Sequence, residues 1–110
     1  MIKFDEVNTQ LIENFRGGDG ITQAKLLVDE NNKIMLGRLA KGCSIGEHSH
    51  DTGSEIIYVI SGEAKFTLDG EVEIGKPGDC HYCKMGSRHS TANNCEEDLV
   101  FFAVIPEHCK

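Results

Sequence analysis

The sequence predicts a small all-β protein, folded as a barrel or as a sandwich of sheets. Short segments rich in Ile, Val, Leu, Phe, Thr and Tyr recur along the chain, and these residue types suit a pleated surface. Turn residues, most often glycine, separate the segments at intervals too short for ordinary helices. Because closing a sheet removes its exposed edges, many short strands joined by Gly-rich turns are typical of a barrel or sandwich.

The strand segments can be placed in order along the chain. Only residues 7–15 suggest a short helical turn. Asp69 and Gly70 stand between two segments that alternate polar and apolar residues, which predicts a tight hairpin. The predicted strands are residues 25–28, 34–40, 55–60, 64–68, 71–74, 79–85 and 99–105.

The last of these segments, residues 99–105, is apolar on both faces. A strand with water on either side would not tolerate this pattern, so we expect it to be buried twice. One face would line the barrel interior. The other would pack on a second sheet of the same chain or on a partner subunit, and the segment alone favours neither.

Length and charge limit the classes of function. The 110 residues are close to the commonest domain size, so one domain over residues 1–110 is expected. Eighteen acidic and 11 basic residues give a net charge of −7, which argues against a nucleic acid or an anionic membrane as partner. The first residues show no apolar leader, and no run approaches the ~18 apolar residues of a membrane span, so a cytoplasmic protein is expected.

The five cysteines are an odd number, and reduced thiols suit them better than a disulfide framework. Cys80 and Cys83 form a C-x-x-C pair, which invites a zinc or redox interpretation. However, no second pair completes a zinc site, and no helix start precedes the pair as a thioredoxin-like site requires. We interpret both as buried or half-buried thiols on a strand, and the sequence assigns them no role.

A cluster of potential metal ligands is the most informative feature of the chain. His48 and His50 are two residues apart, so on a strand they lie on one face, about 7 Å apart at the backbone. A turn-prone stretch follows, and Glu55 then opens the next apolar segment, from which its carboxylate can return to the same cluster. Two imidazoles and a carboxylate are typical of non-haem iron sites, and manganese, nickel, copper or zinc accept similar ligands. His89, between Gly86 and Asn93, is the candidate for a further ligand.

Residues 42–62 resemble the first motif of the cupin family. That motif reads Gly, five residues, His-x-His, three or four residues, Glu, six residues, Gly. Gly42, His48, His50, Glu55 and Gly62 match every fixed position. Chance agreement at so many positions is small.

Residues 78–93 resemble the second cupin motif, which runs Gly, five residues, Pro-x-Gly, two residues, His, three residues, Asn. Gly78, Gly86, His89 and Asn93 stand at the required intervals. Lys84 occupies the place where the family usually has proline, a residue that fixes a turn.

The resemblance implies a small single-domain cupin of the conserved-barrel type, with a double-stranded β-helix, or jelly-roll, of six to eight strands. It implies that His48, His50, Glu55 and His89 bind one divalent transition metal (Mn, Fe, Ni, Cu or Zn) inside the barrel, below a cavity for a small molecule. It also implies glycine turns at the fixed motif positions and, commonly, a homodimer. The apolar segment at residues 99–105 agrees with such a dimer.

Other polar and aromatic residues are weaker candidates. His81 and His108 lie outside the motifs and are not expected to bind the metal directly. Arg38 could anchor an anionic group, although a solvated position outside the barrel is favoured. Alternation along the segment that starts at Glu55 turns Tyr58 away from the metal, which leaves an apolar cavity near the ion. Three further aromatic residues could line that cavity or belong to the core, namely Phe66, Tyr82 and Phe102.

Two classes of function fit these features. The leading hypothesis is a metal-dependent enzyme acting on a small organic molecule, as an oxygenase, isomerase or decarboxylase. The alternative is a metal-dependent binding module or sensor without turnover, since no positioned base is evident beyond the four ligands. A purely structural barrel is a third, weaker possibility. Because neutral imidazoles bind metals, metal affinity should fall as the pH drops through ~6.5.

Overall fold

The structure of the protein, a computed structural model, describes residues 1–109 and confirms the all-β prediction. Two short 3-10 turns, Phe4–Glu6 and Phe15–Gly17, flank the first strand. The strands are β1 (Gln10–Glu13), β2 (Ile21–Val28), β3 (Asn32–Leu39), β4 (Ser44–Ser49), β5 (Glu55–Ser61), β6 (Ala64–Leu68), β7 (Glu71–Gly75), β8 (Cys80–Cys83), β9 (Arg88–Ala92) and β10 (Leu99–Pro106).

The strands form two antiparallel sheets that enclose one apolar core. The larger sheet has the order β1-β2-β3-β10-β5-β8, and the smaller has the order β4-β9-β6-β7. Side chains from both sheets meet in the core because successive residues of a strand face opposite sides. Fully buried core residues include Leu39, Ile57, Val59, Phe66 and Phe101.

The predicted hairpin joins β6 to β7. Leu68 pairs with Glu71, so two residues make the connection. Both connecting residues have positive φ, 49° at Asp69 and 88° at Gly70. That combination is the requirement of a type I′ turn, whose twist matches the flanking strands, and glycine adopts it without strain.

The helical turn predicted for residues 7–15 is wrong. Its centre forms β1, which pairs with β2 along its whole length. The chain then bends sharply at Asn14 and Arg16, whose φ angles are 49° and 56°. Pairing with an existing sheet edge satisfies the backbone of a segment too short to hold a helix alone, so the tertiary contact overrides the local preference.

The two faces of β10 have different surroundings. Leu99, Phe101 and Ala103 are buried in the core, as predicted. The opposite face is only half-buried in this chain, and Phe102 there meets the ring of Phe4 edge-on at 6.2 Å. A second sheet of the same chain does not cover it, so the partner subunit stays a prediction.

No helix in the described part of the chain combines the length and apolar character needed to cross a membrane. The five cysteines, all within residues 1–109, are free thiols, as expected. Cys83 is buried, but Cys80 is exposed, so the predicted burial is wrong for Cys80. The two residues lie three positions apart on β8 and therefore face opposite sides of the sheet.

Candidate metal centre

The structure brings together the four side chains that the sequence singled out. One ligand atom from each of His48, His50, Glu55 and His89 lies within 4.8 Å of all the others. The Nε2 atom of His89 is 3.0 Å from Nε2 of His50 and 3.2 Å from Nε2 of His48. The Glu55 Oε1 atom lies 2.9 Å from His89 Nε2 and 3.0 Å from His50 Nε2.

Both sheets contribute to the cluster. His48 on β4 stands directly opposite His89 on β9 in the smaller sheet. His50 follows the end of β4, and its backbone carbonyl accepts a hydrogen bond from the Gly86 amide. Glu55 opens β5 in the larger sheet, and Ile57 and Val59 share its buried face. The cluster therefore depends on how the two sheets close against each other.

The donor set fits a transition metal. Two ligands at right angles, each about 2.1 Å from one ion, are about 3.0 Å apart, which is close to the separations of 2.9 to 3.2 Å around His89. The Nδ1–H of His48 donates to the Gly46 carbonyl at 2.8 Å, which leaves its Nε2 lone pair facing the cluster. Three imidazole nitrogens and one carboxylate oxygen converge, so the four residues could hold a divalent ion.

Glu55 supplies the negative charge of the cluster. Its side chain is only 6% exposed. Burial raises its pKa, but the neighbouring imidazoles of His48, His50 and His89 outweigh this effect and hold the pKa well below the ordinary value of 4.5. The group is therefore a carboxylate at neutral pH, the form that binds metals.

His81, which the sequence did not connect with the site, is hydrogen-bonded to one member of the cluster. Its Nε2 atom lies 3.0 Å from Nδ1 of His89, and its Nδ1 atom lies 2.8 Å from the Glu73 carboxylate. Burial lowers the pKa of His81, and the bond to Glu73 only partly opposes this. The signal in the sequence was its place on β8, two residues before the buried Cys83 and therefore on the same face. His108 instead contacts Ser54 at 2.9 Å, outside the cluster, as expected.

An apolar cavity of about 230 Å³ adjoins the cluster, with His48 and Glu55 in its wall. The predicted apolar character is confirmed, although Arg16 and Lys33 add two exposed cationic side chains. Both cations also line a neighbouring depression beside His50. The apolar wall includes Ile12, Leu26, Met35, Ile45, Ala103 and Ile105.

The segment that carries Arg16 packs tightly against β4. A Cβ atom at Gly46 would lie 2.2 Å from the Arg16 carbonyl oxygen. Only glycine permits this approach of two backbones. The Phe15–Gly17 turn is therefore held close to the strand that carries His48.

The weaker candidates lie away from the cavity. Arg38 is on the exterior, as favoured, and pairs with Asp98 at 2.9 Å. Tyr58 and Tyr82 are 45% and 51% exposed, and Phe66 is core, so the possibility that they line the cavity is wrong. The same holds for the half-buried Phe102 on the outer face. Tyr58 points away from the cluster, as predicted.

The glycine turns implied by the motifs are present. All four positions have positive φ between 80° and 96°, namely Gly42, Gly62, Gly78 and Gly86. The turn before Gly86 also forms with Lys84 in place of proline, because the Lys84 carbonyl accepts a hydrogen bond from the Ser87 amide at 3.0 Å.

Comparisons with known proteins cover both motif regions. The family model described as Cupin domain matches residues 35–105. The oxalate-binding protein of Thermotoga maritima is 36% identical over 111 residues, which cover 96% of this chain and 92% of that protein. The pectin degradation protein KdgF of Dickeya dadantii is 28% identical over 82% of each chain. The crystal structure of a predicted oxalate decarboxylase from Thermotoga maritima matches with a TM-score of 0.92 and 30% identity, over 97% of this chain and 98% of that one.

Proposed function

This chain belongs to the cupin family, and from that premise we propose that it is a metal-dependent enzyme acting on a small carboxylic acid. The observation that carries the proposal is the convergence of three imidazoles and one carboxylate in the wall of a cavity of about 230 Å³. The proposed ligands are His48, His50, Glu55 and His89. A bound divalent ion (Mn, Fe, Ni, Cu or Zn) supplies Lewis acidity toward an oxygen atom of the substrate.

The charge of the site supports an anionic substrate. One carboxylate and three neutral imidazoles carry a single negative charge, so a divalent ion leaves one net positive charge in a mostly apolar cavity. Since an uncompensated charge is costly in such surroundings, a carboxylate that binds there is favoured. Two matches from Thermotoga maritima, a curated protein and a solved structure, carry names that refer to oxalate, which supports the same class of ligand.

Arg16 is the residue that we propose to hold a substrate carboxylate. It lines the cavity together with His48 and forms no ion pair within residues 1–109. A guanidinium group matches the planar geometry of a carboxylate and can bind it with two parallel hydrogen bonds. The tight packing of its turn on β4 limits the movement of its backbone.

The first experiment measures metal and ligand binding separately. The metal-free protein is loaded with Mn, Fe, Ni, Cu or Zn under reducing conditions, and the stoichiometry is read by mass spectrometry. We expect one ion per chain in the wild type and in the control His108→Ala, with a large loss in His50→Ala and Glu55→Gln. Equal loading of all four proteins would refute the assigned ligands.

The second experiment tests the substrate class. The loaded protein is mixed with small mono- and dicarboxylates, sugars and phenols, and binding is followed by calorimetry while products and oxygen consumption are measured. Arg16→Gln should weaken carboxylate binding about 10- to 150-fold without changing the metal content, since bonds to charged groups contribute ~1.5–3 kcal/mol. A preference for uncharged ligands would contradict the proposal.

A metal-dependent binding module is the second candidate. One observation favours it, because the titratable residues in the described cavity wall are only His48, Glu55, Arg16 and Lys33. Beyond two proposed ligands, the wall therefore offers no carboxylate or imidazole to act as a general base. Tight carboxylate binding without product would select this candidate over the enzyme.

We also propose that the protein is a homodimer that buries the outer face of its larger sheet. Ile56, Tyr58, Ile60 and Tyr82 are between 38% and 51% exposed on neighbouring strands β5 and β8. Contiguous apolar surface of this kind is typical of an interface. Sedimentation should show a dimer that Ile56→Asp dissociates, and a monomeric wild type would refute the proposal.

We propose a cytoplasmic location on the basis of composition. Five free thiols suit a reducing compartment, which supports a cytoplasmic location. The net charge of −7 supports a small-molecule partner over a nucleic acid or an anionic membrane.

A further inference from the structure

His48 and His89 have different hydrogen-bond partners at Nδ1, the ring nitrogen that faces away from the cluster. His48 Nδ1–H donates to a backbone carbonyl at 2.8 Å. His89 Nδ1 lies 3.0 Å from Nε2 of His81, and His81 Nδ1 lies 2.8 Å from the Glu73 carboxylate. Three side chains from β9, β8 and β7 therefore connect the cluster to the protein surface, where the Glu73 side chain is 47% exposed.

When His89 binds a metal, the two hydrogen bonds that link His89, His81 and Glu73 can have only one donor–acceptor direction. The Nε2 lone pair of His89 then faces the ion, so its proton is on Nδ1 and is donated to His81 Nε2. A neutral His81 carries its own proton on Nδ1 and donates it to Glu73, because a carboxylate only accepts. Glu73 thus selects the tautomer of His81, and His81 selects the tautomer of His89.

Packing fixes the orientation of the middle ring. The His81 side chain is 1% exposed and lies flat on Phe66, with ring centroids 4.0 Å apart and planes 1° from parallel. The His89 ring follows at 5.3 Å with an interplanar angle of 8°. The stack on Phe66 fixes the plane of the His81 ring, and a 180° flip within that plane would break its hydrogen bonds to both His89 and Glu73.

We propose that His81 and Glu73 are positioning residues that hold His89 as an Nε2 metal donor, through a relay that runs from the cluster to the surface. The inference rests on the metal site of the proposed function and assigns a role to two residues outside it. Outer partners of metal-binding histidines fix the ring and make it a better donor, and their loss typically weakens metal binding about 10- to 100-fold.

The first test is a Zn(II) titration against a chromophoric chelator. His81→Leu removes the acceptor for His89 and should weaken binding about 10- to 100-fold. His81→Gln, whose amide oxygen can accept the same proton, should lose less. Glu73→Ala should weaken binding as well, whereas Glu71→Ala should not, although both remove an exposed carboxylate from the same face of β7.

The second test reads the tautomers, which a purely structural role would not determine. Long-range proton–nitrogen NMR spectra of the Zn(II)-loaded protein should show His81 and His89 both protonated at Nδ1. In Glu73→Ala, a substitution at a half-exposed side chain, this preference of His81 should weaken, because only the Nδ1–H of His89 then favours it. Protonation of His81 at Nε2 in the wild type would overturn the relay.

The outcomes separate the two proposals. A wild type that binds neither Zn(II) nor any of the other four ions overturns both the metal site and the relay. A wild type that binds Zn(II), together with His81→Leu and Glu73→Ala variants of unchanged affinity, overturns the relay alone.

Discussion

Replacement of Phe66 by leucine tests whether the core and the relay depend on the same side chain. Phe66 is 1% exposed, and its ring covers one face of His81 at 4.0 Å. A hydrophobic exchange of similar volume in a core costs up to ~1.5 kcal/mol, and loss of an aromatic stack adds ~0.5–1.5 kcal/mol. We therefore expect the free energy of unfolding to fall by about 1–3 kcal/mol, or roughly 4–12 °C in Tm for a domain of this size.

The assay is urea unfolding of the metal-free protein, followed by the Zn(II) titration. Phe102→Leu is the matched control, because Phe102 is half-buried on the outer face and meets Phe4 edge-on at 6.2 Å. The control should lose less than about 1 kcal/mol and keep its Zn(II) affinity. Phe66→Leu should weaken Zn(II) binding, since His81 loses the surface that fixes its ring. Equal unfolding midpoints and equal affinities in the two variants would refute the reasoning.

Three further predictions concern pH, thiol reactivity and packing. The metal-free protein should lose stability as the pH falls below ~6.5, because the lowered pKa of His81 lets the unfolded chain take up the proton first. Below pH ~4.5 a second loss of stability should follow, because the pKa of Glu55 is also lowered in the folded state and the unfolded chain is protonated first. Urea midpoints that do not change with pH would contradict both effects. Burial raises the pKa of Cys83 to about 11, so a thiol reagent at pH 8 should modify the exposed Cys80 at least ~100-fold faster than Cys83. Equal rates of modification would count against the buried position of Cys83. Gly37→Ala should lower the free energy of unfolding by about 1–3 kcal/mol, because the added Cβ would lie 2.3 Å from a ring atom of Phe101 on β10. An unchanged Tm would show that this ring can move aside.

The ligand cluster was predictable because local spacing encodes most of it. His48 and His50 are two residues apart, and Glu55 lies at the start of the next strand, so three of the four clustered residues come from eight residues of chain. The alternation that buries Glu55 and exposes Tyr58 is also local. Only His89 required a second motif, and the antiparallel pairing of β4 with β9 places it opposite His48.

Hydrophobic alternation failed on the strand that carries His89. The sequence Arg-His-Ser-Thr-Ala of β9 places polar residues, His89 and Thr91, at its buried positions. A pattern search for apolar residues on one face therefore finds no strand there. Local rules are expected to fail where a barrel wall serves a site, because the residues that bind a ligand replace those that fill a core.

The relay could not be predicted because its three members meet through pairings that are distant in sequence. His81 lies in the larger sheet, whereas Glu73 and His89 lie in the smaller one, on strands separated by β6. The contact between His81 and His89 exists only because the two sheets close on each other. The spacing of residues along the sequence does not predict how the two sheets close on each other.

The relay places its carboxylate at the protein surface, which avoids a second buried negative charge near Glu55. A carboxylate in direct contact with His89 Nδ1 would be a second buried negative charge near Glu55, costly to remove from water and repelled by its neighbour. One intervening imidazole lets the Glu73 carboxylate stay 47% exposed, although His89, the residue that it is proposed to orient, is only 1% exposed. In residues 1–109, every fully buried side-chain nitrogen or oxygen atom has a hydrogen-bond partner except Thr22 Oγ1. In the proposed site, Glu55 is therefore the carboxylate placed to balance the ion, and Glu73 would orient His89 without adding a second buried charge.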